Sequence, residues 1–70
     1  MNRKSVTSSN IKSIGYDENT KTLEIEFKRG GLYQYSDVPM NVYIALINAT
    51  SHGKYFQKFI RDKYATIKVI

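Results

Sequence analysis

The chain has 70 residues, of which 41% are hydrophobic and 13% aromatic, and it carries a formal net charge of +5. This length fits one small globular domain, in which little volume remains for an enclosed catalytic pocket once the core is filled. The chain has no cysteine and a single histidine, which excludes disulfides, thiol nucleophiles and multi-histidine metal sites. Lysine and arginine outnumber the acids by 11 to 6, a balance that favours polyanionic partners such as nucleic acid.

We expect residues 1–8 to form a mobile segment and residues 9–70 to form the domain, because the first stretch is polar. The beginning of the chain is basic but has no apolar run behind it, unlike a signal peptide. No stretch approaches the roughly 20 apolar residues of a membrane span. The expected location is therefore cytoplasmic.

Three stretches predict strands that form an antiparallel meander. Ile11–Tyr16 is the first, and the polar residues 17–20 that follow it are typical of a turn. Residues Thr22–Lys28 alternate between apolar and charged side chains, which predicts a half-buried strand with Glu24 and Glu26 on its solvated face. The third stretch comes directly after two glycines, at residues 32–36.

The connection between the second and third strands predicts a hairpin. A two-residue loop at Gly30 and Gly31 would place Gln34 in the core, which is costly for an amide without partners. An odd-length loop over residues 29–31 instead places Tyr33 and Tyr35 on the core side, with a glycine in the left-handed region. We favour the odd-length loop.

Two helices follow the meander. Asp37 is a plausible cap and Pro39 fits the first turn of a helix from Met40 to Ala49. Ser51 is a plausible cap for a second helix, which runs from about His52 to Lys63 or Tyr64. The tail, residues 65–70, has the composition of a strand and either adds one to the sheet or packs as an arm. The predicted class is α+β, in the order β-β-β-α-α with a short C-terminal strand as an optional addition.

No pattern of residues indicates catalysis, so we expect no enzymatic activity, no cofactor and no metal. Glu24 and Glu26 would lie about 7 Å apart on one strand face, near the spacing of retaining glycosidases, but such pairs usually form a solvated surface. The two adjacent glycines are too few for a phosphate-binding loop and lead into a strand.

The second helix carries the best candidates for binding nucleic acid. Its basic residues recur at helical spacing and would track phosphates, or they are simply the solvated side of an amphipathic helix. Aromatic rings near this stripe would stack on unpaired bases, although for Tyr33 and Tyr35 core packing with the hydroxyl groups at the rim is the favoured interpretation. The candidate nucleic-acid-binding residues are Lys54, Lys58, Arg61, Lys12, Tyr33, Tyr35 and Tyr55.

The start of the second helix is also a candidate anion site, formed by Ser51, Gly53 and Lys54. Free backbone N–H groups and the helix dipole attract anions at such a position. The competing interpretation, which we favour, is an ordinary helix cap with a close approach at Gly53.

Several short motifs in order resemble the KTSC domain family, which is named after the C-terminal domain of some lysyl-tRNA synthetases. They are Ser9-Asn10-Ile11, Ile14-Gly15-Tyr16, Leu23–Phe27, Tyr33-x-Tyr35, Val38-Pro39, Ser51-x-Gly53-x-Tyr55-Phe56 and Ile60-Arg61-Asp62. The resemblance covers roughly Ser8 to Tyr64. It implies a small bacterial or phage protein of a family without assigned catalytic residues, for which RNA binding has been suggested from the synthetase context.

Two functions therefore remain open, and a small-ligand or anion site around Ser51, Gly53, Lys54 and Arg61 ranks behind both because the sequence gives no argument for an enclosed apolar pocket. The first is a non-enzymatic domain that binds RNA, or another polyanion, through the basic helix face. The second is a small protein-interaction module or inhibitor, which captures a partner or forms a homodimer through the apolar tail at Ile67 and Val69. Exposure of those two side chains would favour the second function.

Overall fold

The computed structural model of the chain describes residues 2–70, as one antiparallel sheet with two helices. The elements in chain order are β1 (Arg3–Ser5), β2 (Ile11–Asp17), β3 (Thr22–Phe27), β4 (Leu32–Tyr35), α1 (Met40–Ile47), α2 (His52–Phe59) and β5 (Thr66–Lys68). The five strands lie side by side in sequence order, and every neighbouring pair is antiparallel. The α+β class and the meander before two helices are confirmed, and the tail does add a strand.

The number of strands differs from the prediction, because four strands rather than three precede the helices. The additional strand is β1, which pairs with β2 over Arg3–Gly15 to Ser5–Ser13. Its sequence, Arg-Lys-Ser, has no apolar alternation and all three residues are exposed, so no local signal marks it as a strand. The predicted mobility of residues 1–8 stays a prediction, and Met1 lies outside the described residues.

The loop of the β3–β4 hairpin has an odd number of residues, as predicted from the need to place the tyrosines rather than Gln34 on the core side. Tyr33 lies opposite Ile25 and Tyr35 opposite Leu23, so both tyrosines lie on the apolar side of the sheet. The expected loop over residues 29–31 would instead place Tyr33 beside Phe27 and Tyr35 beside Ile25. The observed pairing is shifted from this by two residues, because the loop closes earlier with a hydrogen bond from the N–H of Phe27 to the carbonyl of Gly31. Both glycines of the loop have positive φ.

The start of α1 differs from the prediction. Asp37 does not cap the helix, because it is exposed with a φ of 59° and the N-cap position falls on Pro39, which offers no side-chain acceptor. The helix ends at Ile47 rather than Ala49, since the side-chain amide of Asn48 donates to the carbonyl of Ile44 and closes the last turn.

The second helix begins as predicted, with the Ser51 hydroxyl accepting from the N–H of Lys54. It ends at Phe59, earlier than the expected Lys63 or Tyr64, because the N–H groups of residues 60 and 61 both bond to the carbonyl of Phe56. Within residues 2–70, neither helix is long and apolar enough to cross a bilayer.

Both helices pack on one face of the sheet and form a single core with it. The sheet contributes the apolar side chains of β2 and β3, and the helical half contributes Val38, Leu46, Phe56 and Ile60. Because Phe56 contacts the rings of both Phe27 and Tyr35, at 5.4 and 5.6 Å between centroids, α2 is fixed over the hairpin. This placement defines the walls of the groove described next.

The other face of the sheet carries no helix, yet it is not simply solvated as predicted. Glu24 is only 7% exposed, because Arg3 and Gln34 both hydrogen-bond to its carboxylate. Glu26 is half-buried and accepts a hydrogen bond from the Ser13 hydroxyl. The prediction of a solvated carboxylate pair is therefore wrong for Glu24.

Candidate functional site

A groove of about 510 Å³ runs between the β3–β4 hairpin and α2. Its volume lies within the range of about 300–1,000 Å³ that is usual for small-molecule sites. Its walls come from the hairpin, from α2 and the turn after it, from the loop before β2 and from β5. The lining residues are Asn10, Ile11, Phe27, Arg29, Gly30, Tyr33, Tyr35, Gly53, Phe56, Gln57, Arg61, Asp62 and Thr66.

The hydroxyl of Tyr35 lies in this groove and has no protein partner within residues 2–70. The residue is 4% exposed, since its ring packs edge-on against Phe56 in the core. Burial, followed by the neighbouring Tyr33, raises the pKa of Tyr35 to about 12, so the hydroxyl stays protonated. The ring is buried but the hydroxyl is not a buried unpaired group, so solvent reaches it and it is available to a molecule in the groove.

Asn10 supplies a second donor from the loop before β2. Its Oδ1 accepts a hydrogen bond from the Ser9 hydroxyl at 2.6 Å, which leaves the amide N–H groups free. The side chain lies against α2 at Gly53, where a Cβ atom would come within 3.3 Å of Nδ2. The absence of a side chain at position 53 therefore makes room for the Asn10 amide beside the groove.

Two arginines line the groove from opposite walls, Arg29 from the hairpin loop and Arg61 from the turn after α2. Arg61 has one weak ion pair, 4.0 Å from Nε to the Asp62 carboxylate, on an exposed surface. Arg29 has no ion pair within the described residues. The two guanidinium groups and the free hydroxyl and amide groups are hydrogen-bond donors, a set suited to an oxyanion.

The distribution of charge over the domain favours an anion at this end. The acids Asp17, Glu18 and Asp37 lie in turns at the far end of the sheet from the β3–β4 loop, which itself carries Lys28 and Arg29. The strand carboxylates of β3 lie on the face without helices and are engaged by Arg3 and Lys12. Of the six acids in the chain, only Asp62 lines the groove.

The predicted lysines of α2 lie beside the groove rather than in it. Lys54 and Lys58 are exposed and follow the groove-lining Gly53 and Gln57 by one position each, so they point about 100° around the helix from them. Neither forms an ion pair with any residue in the range 2–70. The ammonium of Lys58 lies 5.4 Å from the centre of the exposed Phe59 ring. These lysines therefore form a basic flank next to the groove.

The structure does not bring Lys12 into this group. Its ammonium lies 4.0 Å from the Glu26 carboxylate, on the opposite face of the sheet from α2. Tyr55 is half-buried and packs against Phe59 at 4.7 Å, outside the groove lining. Tyr16, which also has a ring near the surface, donates its hydroxyl to the Val38 carbonyl and stacks on Tyr43.

The structure gives separate roles to the residues of the candidate anion site at the start of α2. The Ser51 hydroxyl is engaged in capping the helix, at 3.3 Å from the Lys54 nitrogen, whereas Gly53 lines the groove. The geometry at Ser51 is that of the favoured alternative, a helix cap. Anion binding by these three residues stays a prediction.

Several groove residues carry no sequence signal that marks them as binding residues, although Asn10 and Phe56 belong to the family motifs. Asn10 reads as part of a polar loop and Arg29 as a turn residue, while Phe56 reads as an ordinary member of the apolar face of a helix. They become neighbours only when the hairpin folds against α2 and the loop before β2 closes the end of the groove. The close approach expected at Gly53 was a signal that another residue packs against the start of α2, but the sequence does not identify that residue as Asn10.

No group of three or more histidine, cysteine or acidic side chains suitable for a metal ion occurs in the part of the chain that the structure describes. The chemistry that the groove offers is therefore that of its donors and rings. The donors suit an oxyanion, and Phe27 and Tyr33, 5.6 Å apart and edge to face, offer aromatic surface beside them.

Comparison with known proteins places these residues in a defined family. The family model described as the KTSC domain matches residues 7–64. A KTSC domain protein of Yersinia pestis, known from a crystal structure, superposes with a TM-score of 0.97 at 39% identity and covers 99% of this chain and 97% of its own.

Two kinds of relatives are similar in sequence. An uncharacterized protein of Stutzerimonas stutzeri is 39% identical over 64 residues, which cover 91% of this chain and 90% of that protein. A lysine–tRNA ligase of Trichormus variabilis is 46% identical over 54 residues, which cover 77% of this chain but only 10% of the ligase. The resemblance in the motifs is thus confirmed over most of the chain, and the chain belongs to the KTSC domain family.

Proposed function

We propose that this protein is a non-enzymatic RNA-binding domain, in which the groove and the basic flank of α2 together hold a stretch of RNA. The observation that carries the proposal is the groove itself, which joins two arginines, a tyrosine hydroxyl without a protein partner among residues 2–70 and half-buried aromatic rings at the basic end of the domain. Phosphates are bound by such cations, and unpaired bases stack on such rings.

The basic flank extends this surface along α2. Lys54 and Lys58 are exposed and have no ion pair within residues 2–70, so binding phosphate breaks no existing ion pair. Arg61 continues the same stripe into the groove. Lys54 and Lys58, at positions i and i+4, lie on one face of the helix and Arg61 follows in the turn after it, which suits a nucleic-acid backbone that runs alongside.

The relatives support RNA over other polyanions. Lysine–tRNA ligases carry a segment that is 45–46% identical to this chain, and their name states that tRNA is their substrate. The segment is about a tenth of each ligase, so the ligase activity belongs to other parts of those proteins. We propose that the shared segment contributes binding of RNA, which is the property that a separate small domain can retain.

Fluorescence anisotropy tests this proposal with labelled tRNA, single-stranded RNA and duplex DNA, at low and near-physiological salt. We expect RNA to bind more tightly than duplex DNA and to stay bound at physiological salt. The double variant Lys54→Glu/Lys58→Glu should weaken RNA binding by at least about tenfold and reduce the slope of log K against log salt by about 0.7 per lost contact.

The matched control is Lys4→Glu/Lys21→Glu, which changes the net charge equally at exposed positions away from the groove. It should have much less effect on binding. Equal binding of all three nucleic acids that vanishes at physiological salt would contradict the proposal and indicate only a generic attraction of cations. A thermal melt of each variant checks that the fold is kept.

A second candidate function is protein association through β5, the edge strand of the sheet. Ile67, Val69 and Ile70 are 60%, 46% and 78% exposed, which is the observation that favours it. Because the carbonyl of Ala65 accepts from the N–H of Ser36 and the N–H of Val69 donates to the carbonyl of Leu32, the alternation of an antiparallel ladder directs the backbone groups of Thr66 and Lys68 to the free edge. β1, the other edge, is protected by charged and polar side chains.

The partner that fits this edge is a second copy of the chain. A two-fold axis at Ile67 pairs Thr66 with Lys68 of the second copy and places the two Ile67 side chains against each other. An axis at Lys68 would instead oppose two ammonium groups, which is unfavourable. Sedimentation velocity over a range of concentrations tests this candidate, and a monomer throughout would contradict it.

A further inference from the structure

The donors in the groove define its ligand more closely than RNA binding alone requires. Tyr35 is 4% exposed and its hydroxyl has no partner among residues 2–70, while the neutral form is favoured because burial raises its pKa. No buried side-chain oxygen or nitrogen among residues 2–70 lacks a partner, so this unpaired hydroxyl is the end of the buried ring that solvent reaches. A phenylalanine would pack the same ring, so the hydroxyl adds a donor at the groove that a ligand can take over from water.

The other free groups around this hydroxyl are also donors. The Asn10 amide has its oxygen occupied by Ser9 and its N–H groups free, and the guanidinium groups of Arg29 and Arg61 line the opposite walls. Acceptors are fewer, with Asp62 as the single carboxylate of the lining. Such a set matches a ligand with several oxygen acceptors and negative charge, which is the chemistry of a phosphate ester.

The groove is too large and too aromatic for a bare phosphate ion. Its volume is about 510 Å³, and Phe27 and Tyr33 present ring surface next to the arginines. A planar ring attached to the phosphate would cover this surface and remove it from water. A nucleotide combines the two properties.

We propose that the groove binds one unpaired nucleotide, with its phosphate held by Arg29, Arg61 and the Tyr35 hydroxyl and its base against Phe27 and Tyr33. This inference rests on the proposed RNA function and adds that recognition requires an unpaired residue, as in a single strand or an overhang. A base paired within a duplex cannot enter the groove, because its faces are already stacked.

The test uses the full chain and three probes: adenosine 5′-monophosphate, adenosine and inorganic phosphate. Two-dimensional NMR of the amide groups follows each titration, with Gly30, Gly31 and Gly53 as reporters of the groove. We expect the monophosphate to shift these three signals at millimolar concentration or below. Adenosine and phosphate should each bind more weakly than the complete nucleotide, because each satisfies only half of the site.

The decisive variant is Tyr35→Phe, which removes one hydroxyl and keeps the ring in the core. Nucleotide affinity should fall about fivefold, as expected for one lost hydrogen bond, while the melting temperature stays the same or rises. If the hydroxyl had only a structural role, Tyr35→Phe would lower the melting temperature and leave nucleotide affinity unchanged. Tyr55→Phe is the matched control, because that ring lies outside the groove lining and its loss of a hydroxyl should leave nucleotide affinity unchanged.

The outcomes separate this inference from the RNA proposal. Tight binding of single-stranded RNA without groove shifts, and without an effect of Tyr35→Phe, would overturn the nucleotide site and leave RNA binding by the α2 flank intact. Nucleotide binding confined to the groove without affinity for RNA would retain the site and overturn the RNA function. Phosphate that binds as well as the nucleotide would reduce the site to an anion site and overturn the role of the rings.

Discussion

Arg3 reaches from the edge strand across Gly15 to the carboxylate of Glu24, two strands away. Arg3 pairs with Gly15, and Gly15 pairs with Glu24, so the three residues form one row across the sheet. Since glycine carries no side chain, the guanidinium lies over it and donates to the carboxylate. Gln34 completes the row from the other side, with its amide 2.8 Å from the same carboxylate.

This row makes stability depend on pH through Glu24. Burial acts to raise the pKa of its carboxyl, but hydrogen bonds from Gln34 and Arg3 and the charge of Arg3 outweigh burial and lower it below the usual value. A carboxyl whose pKa is lowered by folding stabilises the fold above its unfolded pKa, and that contribution is lost as pH falls through the folded pKa. We expect Glu24→Gln to reduce the free energy of unfolding by about 1–3 kcal/mol at pH 7.

The difference between Glu24→Gln and wild type should begin to shrink as the pH falls below about 4.3, the usual pKa of an unfolded glutamate, because the folded carboxyl has a lower pKa and takes up its proton only at lower pH. Urea denaturation at a series of pH values measures it. Glu18→Gln, in the exposed turn after β2, serves as the control and should leave stability nearly unchanged. A Glu24→Gln effect that is the same at pH 3 and pH 7 would show that the ion pair contributes nothing.

Gly53→Ala separates the stability of α2 from the function of the groove. Alanine gains up to about 1 kcal/mol of helix propensity, but its Cβ comes within 3.3 Å of the Asn10 amide, which must shift. We therefore expect the free energy of unfolding to change by less than about 1 kcal/mol, while nucleotide affinity falls as far as in Asn10→Ala. Urea denaturation and NMR titration measure the two quantities, and unchanged affinity in both variants would exclude Asn10 from binding.

Gly31→Ala should destabilise the hairpin more than Gly30→Ala. Both residues have positive φ, at 99° and 106°, so alanine is strained at either position, at a cost of about 1–3 kcal/mol. At position 31 the Cβ would also lie 2.9 Å from the ring of Tyr33, whereas it meets nothing within 4 Å at position 30. The midpoint of urea denaturation should fall in the order wild type, Gly30→Ala, Gly31→Ala, and equal midpoints for the two variants would contradict the clash.

The elements predicted correctly are those that local sequence determines. The alternation in β3, the paired glycines after it and the serine before α2 each specify structure within a few residues, and each is confirmed. β1 could not be predicted, because its stability comes from pairing with β2 and from the contact of Arg3 with Glu24. Both depend on residues eight or more positions away.

Fewer of the groove residues could be predicted, because the groove also forms through contacts between residues that are distant in sequence. Tyr33, Tyr35 and Arg61 were candidates before the structure was known, and they do meet in the groove. Asn10 and Arg29 were missed, since a loop residue and a turn residue become neighbours of these side chains only through the register of the hairpin and the packing of α2. Lys12 was included through its charge, but strand geometry places it on the other face of the sheet.

The β5 edge gives the last prediction, which concerns association. Ile67 is 60% exposed, so Ile67→Lys should change the free energy of unfolding of the monomer by no more than about 0.5 kcal/mol. In a dimer whose two β5 strands are related by a two-fold axis at this residue, the substitution places two lysine side chains opposite each other at the axis. Dimerisation should therefore be lost, as measured by sedimentation velocity.

Met40→Lys is the matched control, because Met40 is a similarly exposed apolar side chain, 41% accessible, on α1 rather than at the sheet edge. It should leave any dimer intact. Loss of association in both variants would show that contact between copies is a general hydrophobic effect. Persistence of the dimer in Ile67→Lys would move the contact away from β5. RNA affinity that is unchanged in a strictly monomeric Ile67→Lys protein would show that the groove and the edge strand act independently.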